Sequence, residues 1–204
     1  MLFAHLSPGY FAARYSQKYW HPAWNRGQRV ALWGIAIGST VYPDFDVIHN
    51  ILFYGVPNHY YATLWTHSIF PSLTATLLTI LLHITNRGSY LKTALSLFAI
   101  GTFSHLVLDV IAHNTPLFYP LTLQMIGNAP QRIVDGGLRA YITDPLLILE
   151  FVLLAAMVLD IITHLPYSSN SRRRLAISVI SLTIVVAVLF VALLPTLRTM
   201  LNVL

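Results

Sequence analysis

The forty residues from Val47 to Asn86 contain no Asp, Glu, Lys or Arg, and the twenty-three from Leu175 to Leu197 contain none either. About 20 consecutive apolar residues suffice to cross a hydrocarbon core, and nothing else restricts this chain so strongly. Its composition points the same way, with 9% charged and 56% hydrophobic residues and a mean hydropathy of +0.65. A soluble domain carries roughly 25% charged residues. Lipid is therefore the expected solvent for much of the surface.

Apolar segments run over about Leu64–Ile84, Tyr90–Ile111, Ile142–Thr163 and Leu175–Leu197, and a shorter one, Val30–Tyr42, leads into PDFD. This pattern predicts an all-α, polytopic transmembrane bundle of five spanning segments. Ser7 followed by Pro8 reads as the start of a short N-terminal helix ending near Lys18. No internal repeat or heptad interrupts the chain, so 1–204 reads as one integral membrane domain, with C-terminal helices over about 142–204. The stretch from His113 to Tyr141, with three prolines and DGG at 135–137, is the long connection.

Charge sets the expected orientation. Arg14, Lys18, Arg26, Arg29, Arg87, Lys92 and Arg172–Arg174 all fall on one side of the five-span arrangement, which the positive-inside rule makes cytoplasmic. Basic residues placed at helix ends are not the clustered, aromatic-interleaved face that nucleic acid requires, so a net charge of +5 does not imply that partner. The absence of cysteine excludes disulfides and thiolate ligands. The first twenty residues lack the basic, apolar and small-residue order of a cleavable signal, so the N-terminus is read as mature protein.

The scarce acids then become informative. Asp44 and Asp46 end one segment on the non-cytoplasmic side, His67 in THS opens the next there, and His105 and Asp109 in SHLVLD lie toward the same end of the third. His105 and Asp109 are i and i+4, so they share a helix face, which His113 extends if the helix continues. An Asp within a membrane costs roughly 2.5–3.5 kcal/mol at the centre and less toward the interface, so such groups pair, bind a cation or line water. Singly, THS and HxxxD are commonplace as hydrogen-bonding or ion-pairing residues. Together, at one level of three segments, they point to a divalent cation, with Zn, Mn and Fe all compatible with oxygen plus imidazole. Glu150, two turns into its segment, reads equally as a proton acceptor for this site or as a lone buried acid. Asp160 and His164 read as solvated charge. Ser68 and Ser104 read as hydrogen-bonding hydroxyls, since no base and orienter accompany them.

AHL near the start, GSTVYPDFD, THS and GTFSHLVLD followed by PLFYPL occur in the order and spacing of the YdjM-like inner-membrane proteins, which the chain resembles over about residues 3–121. The resemblance implies a membrane-bound metal-dependent hydrolase, with His5, Asp44, Asp46, His67, His105 and Asp109 as the polar set. It adds His5, and with it a first helix that descends from the non-cytoplasmic side. Without that role the helix lies on the cytoplasmic surface. Two positions depart from the family pattern: Ala62, Thr63 and Leu64 stand where HRG precedes THS, and Val47 stands where a His follows PDxD.

The expected function is a membrane-embedded hydrolase of the inner (plasma) membrane, its site on the non-cytoplasmic side. A divalent metal cation, Zn or Mn, held by those six residues would activate water, with Asp46 and Glu150 as proton acceptors. The substrate would be an ester, phosphoester or amide, either a small molecule or part of a membrane lipid. An ion-coupled transporter and a non-catalytic interaction protein are the alternatives.

Overall fold

The computed structural model describes residues 5–45, 65–112, 114–127, 147–164 and 168–202. Asp46, His49, His59 and His113 lie outside them. Among the described residues there are six α-helices: α1 (Leu6–Ser16), α2 (Arg26–Val41), α3 (Phe70–Ile84), α4 (Ser89–Ala112), α5 (Leu147–His164) and α6 (Ser169–Asn202). The chain divides into two compact units, Pro8–Gln131 and the combination of Met1–Ser7 with Arg132–Leu204.

In the Pro8–Gln131 unit, local chemistry fixes where the helices begin. The Asn25 side chain accepts from the Gln28 amide at 2.9 Å, while Gln28 Oε1 accepts from the Asn25 amide at 2.9 Å. This reciprocal capping box starts α2 at Arg26. A 3₁₀ turn over Trp65–His67 precedes α3, whose start carries Pro71 where no intrahelical amide bond is lost. Ser7 and Pro8 fall inside the first turn of α1 rather than flanking it. α4 packs against both α2 and α3 and is the central helix of this unit.

Small residues set the closeness of that packing. A Cβ on Gly101 of α4 would overlap the Ser39 side chain of α2, and a Cβ on Gly9 of α1 would overlap the Ala36 carbonyl. Ser39 Oγ donates to the Ala36 carbonyl at 3.0 Å and lies 3.3 Å from the Leu97 carbonyl of α4. Ser72 Oγ of α3 donates to the Ala99 carbonyl at 3.2 Å. Backbones that approach this closely are the signature of helix association in lipid, where apolar side chains gain little by leaving a hydrocarbon solvent.

The distribution of polarity is inverted relative to a water-soluble bundle. His67, His105, Asp109, Thr102, Ser39 and Thr40 are buried, whereas Leu77, Leu81, Ile100, Phe103, Val107 and Ile111 are exposed. Extended apolar surface of this kind marks contact with membrane or with another protein.

The five-span expectation is corrected. Among the described residues, only α4 is both long and apolar enough to cross a membrane. Its 24 residues reach about 36 Å, more than the ~30 Å hydrocarbon core. The Leu64–Ile84 run does not form one helix, because its first residues enter the 3₁₀ turn and α3 is left with 15 residues, about 22 Å. The Val30–Tyr42 run lies in a 16-residue helix, about 24 Å, whose first turn is polar. The Ile142–Thr163 run carries Glu150 and Asp160 within the 18 residues of α5. The Leu175–Leu197 run lies within α6, which opens on SNSRRR. In the Leu64–Ile84 run, uncharged sequence length overstates helix length because the chain turns through the 3₁₀ segment before α3 begins.

In the second unit α5 packs along α6. Arg172 Nη1 donates to the Thr163 carbonyl at 2.7 Å, and His164 Nδ1 lies 3.7 Å from Asp160 Oδ2. His164 is half exposed, as expected for interfacial charge.

Gly101→Ala should lower the thermal unfolding midpoint of the detergent-solubilised protein, since overpacking a tight contact costs about 1–3 kcal/mol. Adding Ser39→Gly should recover part of the loss, because it removes the atoms the new Cβ meets. Equal midpoints for wild type and Gly101→Ala would contradict the packing described.

Candidate metal centre

Three chain segments of the Pro8–Gln131 unit deliver four side chains to one point. Asp44 arrives on the turn after α2, where its amide donates to the Val41 carbonyl at 3.1 Å. His67 arrives on the last residue of the 3₁₀ turn before α3, which Ser68 Oγ ties to the Trp65 carbonyl at 2.6 Å. The Ile69 amide bonds the Leu117 carbonyl at 2.9 Å, fixing the same turn to the segment beyond α4. His105 and Asp109 lie one turn apart on α4, and both are buried.

His105 Nε2 lies 3.0 Å from Asp109 Oδ2 and 3.7 Å from Asp44 Oδ1. His67 Nε2 lies 3.5 Å from Asp109 Oδ2 and 3.7 Å from Asp44 Oδ1. Two donors bound at 2.0–2.1 Å to a tetrahedral ion sit roughly 3.3–3.4 Å apart. All four separations lie around that edge length. One donor atom from each of His67, His105 and Asp109 falls within 4.8 Å of the other two, so the cluster can hold a metal ion.

The backbone decides how His105 faces this point. Its Nδ1 is 2.6 Å from the Thr40 carbonyl, and a carbonyl only accepts, so Nδ1 carries the proton. Thr40 sits in the last turn of α2, where carbonyls have no intrahelical donor. In its neutral form the imidazole therefore aims the lone pair of Nε2 at two carboxylates. Lone pair against carboxylate is repulsive unless a cation or a second proton lies between them. A histidine whose far nitrogen bonds a backbone carbonyl is the usual arrangement of a metal ligand.

Asp44 is the accessible member, with about a third (32%) of its side chain exposed, against 3% for Asp109. Burial and the neighbouring Asp109 push the Asp44 carboxyl up, but its attraction to His67 and His105, at 3.7 Å each, outweighs them and holds the group below its ordinary value. The Tyr42 hydroxyl nearby is pushed up by burial. With both carboxylates ionised and both imidazoles neutral the four donors carry a charge of −2, which one divalent cation cancels.

Of the residues singled out by sequence, Asp44, His67, His105 and Asp109 converge, while Asp46 lies outside the described residues. His5 and Glu150 are assigned to the other unit, and both are buried, at 2% and 3% exposure. Ser104 Oγ donates to the Gly101 carbonyl at 2.8 Å, so both serines are spent on backbone, as their context suggested. Sequence reading missed the Thr40 carbonyl, since a main-chain acceptor has no residue signature. The one available signal was the rule that a helix's last carbonyls need outside donors.

No curated protein and no solved structure matches the chain. A family model does match, described as YdjM inner membrane protein, over residues 1–197. With a helix long enough to span, an apolar exterior and a buried His/Asp cluster already in view, that match covers nearly the whole length: the chain belongs to the YdjM inner membrane protein family.

Proposed function

We propose that the protein is a membrane-embedded hydrolase whose Asp44, His67, His105 and Asp109 hold a divalent cation at one end of α4. The convergence of two imidazole nitrogens and two carboxylates at metal-ligand spacing is the observation that supports this reading. A mixed nitrogen and oxygen set suits Zn or Mn, whereas calcium takes oxygen donors alone. When bound, such a cation acidifies water and stabilises developing negative charge on an ester, phosphoester or amide.

The chain's own residues supply the rest. His105 is held in one tautomer by Thr40, so its donor atom needs no reorientation on binding. Asp109 and His67 are withdrawn from water, which strengthens their attraction for a cation. Asp44, partly exposed, stands where a substrate and water would enter. Asp46, two residues on, and Glu150 are assigned as proton acceptors from sequence, and His5 joins the ligand set on the family motif. The positive-inside pattern of Arg and Lys assigns the metal-bearing end of α4 to the non-cytoplasmic side. Substrates reaching it there are small molecules or lipid-linked groups in the outer leaflet.

Elemental analysis of purified protein is the first test. Wild type should retain close to one equivalent of a first-row metal after dialysis, and His105→Gln or Asp109→Asn should weaken binding at least about tenfold. Thr40→Val should leave metal content within about twofold, since His105 bonds the carbonyl and not the side chain. Metal content unchanged in both ligand variants would remove the basis of the proposal.

Acidification should release the metal, because protons compete for the imidazoles and carboxylates that bind it. Retention should therefore be full at neutral pH and fall as pH drops through the range in which free His and then Asp titrate, about 6.5 down to 4. Equilibrium dialysis at stepped pH reads this directly, and a binding curve flat from pH 7.5 to 4 would contradict the ligand assignment.

A further inference from the structure

The other end of the same helices carries a second feature. A cavity of about 730 Å³ lies between the segment following α1, the last turns of α3 and the first turns of α4. That volume is within the range of small-molecule sites. Its wall combines Lys18, His21, His83 and Lys92 with the apolar Ile80 and Ile100, and none of its lining residues is a carboxylate.

The wall is held in shape. Arg29 donates through Nε to the Trp24 carbonyl at 3.0 Å and through Nη2 to the Pro22 carbonyl at 3.1 Å, fixing the loop that closes one side. Trp20 Nε1 donates to Ser16 Oγ at 3.0 Å, locking the indole at its edge. His21 Nδ1 accepts from the Ala23 amide at 3.2 Å, so the neutral ring carries its proton on Nε2 and presents a donor. Lys18 is set over the Tyr19 ring at 4.8 Å. Ser89 opens α4 on this wall, so the positive end of a 24-residue helix dipole adds to the lysines.

Donors and positive charge thus occupy one part of the cavity, and apolar side chains, continuous with the exposed stripe through Ile100 and Phe103, occupy the other. From this charge complementarity we infer that the cavity binds a phospholipid whose headgroup is net anionic, its phosphate between Lys18, Lys92 and the His21 donor and its acyl chain along Ile80 and Ile100. Lys92 and Asp109 are seventeen residues apart on one helix, about 25 Å, so this site is separate from the metal centre and does not depend on it. Lys92 is partly buried and lines the wall, where a lysine can pack its stem and extend its ammonium toward an anion.

The test uses delipidated full-length protein in neutral detergent, titrated with short-chain phosphatidylglycerol, phosphatidylcholine of the same chains, and inorganic phosphate, with bound species counted by native mass spectrometry. Phosphatidylglycerol should bind at least about tenfold more tightly than phosphatidylcholine, and more tightly than inorganic phosphate. The double substitution Lys18→Gln with Lys92→Gln should abolish that preference, and Lys18→Arg with Lys92→Arg should keep it. An unchanged thermal unfolding midpoint in both variants verifies that the fold persists. Equal affinity for the two lipids, persistence of the preference in the Gln variant, or inorganic phosphate binding as tightly as the lipid would each overturn the inference.

Discussion

The bond from His105 Nδ1 to the Thr40 carbonyl is the constraint on which the candidate centre depends. It links a helix end to a helix interior, and each side needs the other. Thr40, in the last turn of α2, offers a carbonyl that would otherwise be buried without an intrahelical partner. His105, fully buried on α4, needs a fixed proton on one nitrogen if the other is to present a lone pair. The bond forms only because α2 and α4 are close enough, and Gly101, one turn before His105, is what allows that closeness.

From that geometry the electrostatics follow. A neutral His105 facing Asp44 and Asp109 at 3.7 and 3.0 Å cannot stabilise two carboxylates by itself. Purely structural helix-to-helix hydrogen bonding, the bland reading of such a cluster, would be served better by one acid and one donor. Two acids and two imidazoles drawn from three segments, in a surface that is otherwise apolar outward, leave an excess of negative charge that burial makes expensive. A divalent cation held by these four donors would remove that cost.

The convergence of Asp44, His67, His105 and Asp109 was more legible in the sequence than the lengths of the helices that carry them. Rare acids in a chain with seven of them stand out, and the i, i+4 spacing of His105 and Asp109 survives any error in helix ends, because both lie inside one helix. The order of apolar runs located Asp44 and His67 at the same end of neighbouring helices even though α3 proved shorter than its run. Spanning was misjudged for a physical reason. Absence of charge says nothing of where Ser, Thr, Pro and His divert the backbone, and WTHSIFP turns through a 3₁₀ segment before α3 begins. Contacts made by main-chain atoms, such as the Thr40 carbonyl and the Gly101 approach, were invisible because glycine and carbonyl geometry have no period to read.

The helix α4 joins these observations into one design. Its first turns lie on the cationic cavity, its middle holds the glycine that admits α2, and its last turns carry His105 and Asp109. Opposite charges at opposite ends of one helix, about 25 Å apart, are each matched to a different surrounding. Basic side chains and the positive helix terminus suit anionic headgroups, while the acidic cluster at the negative terminus suits a cation.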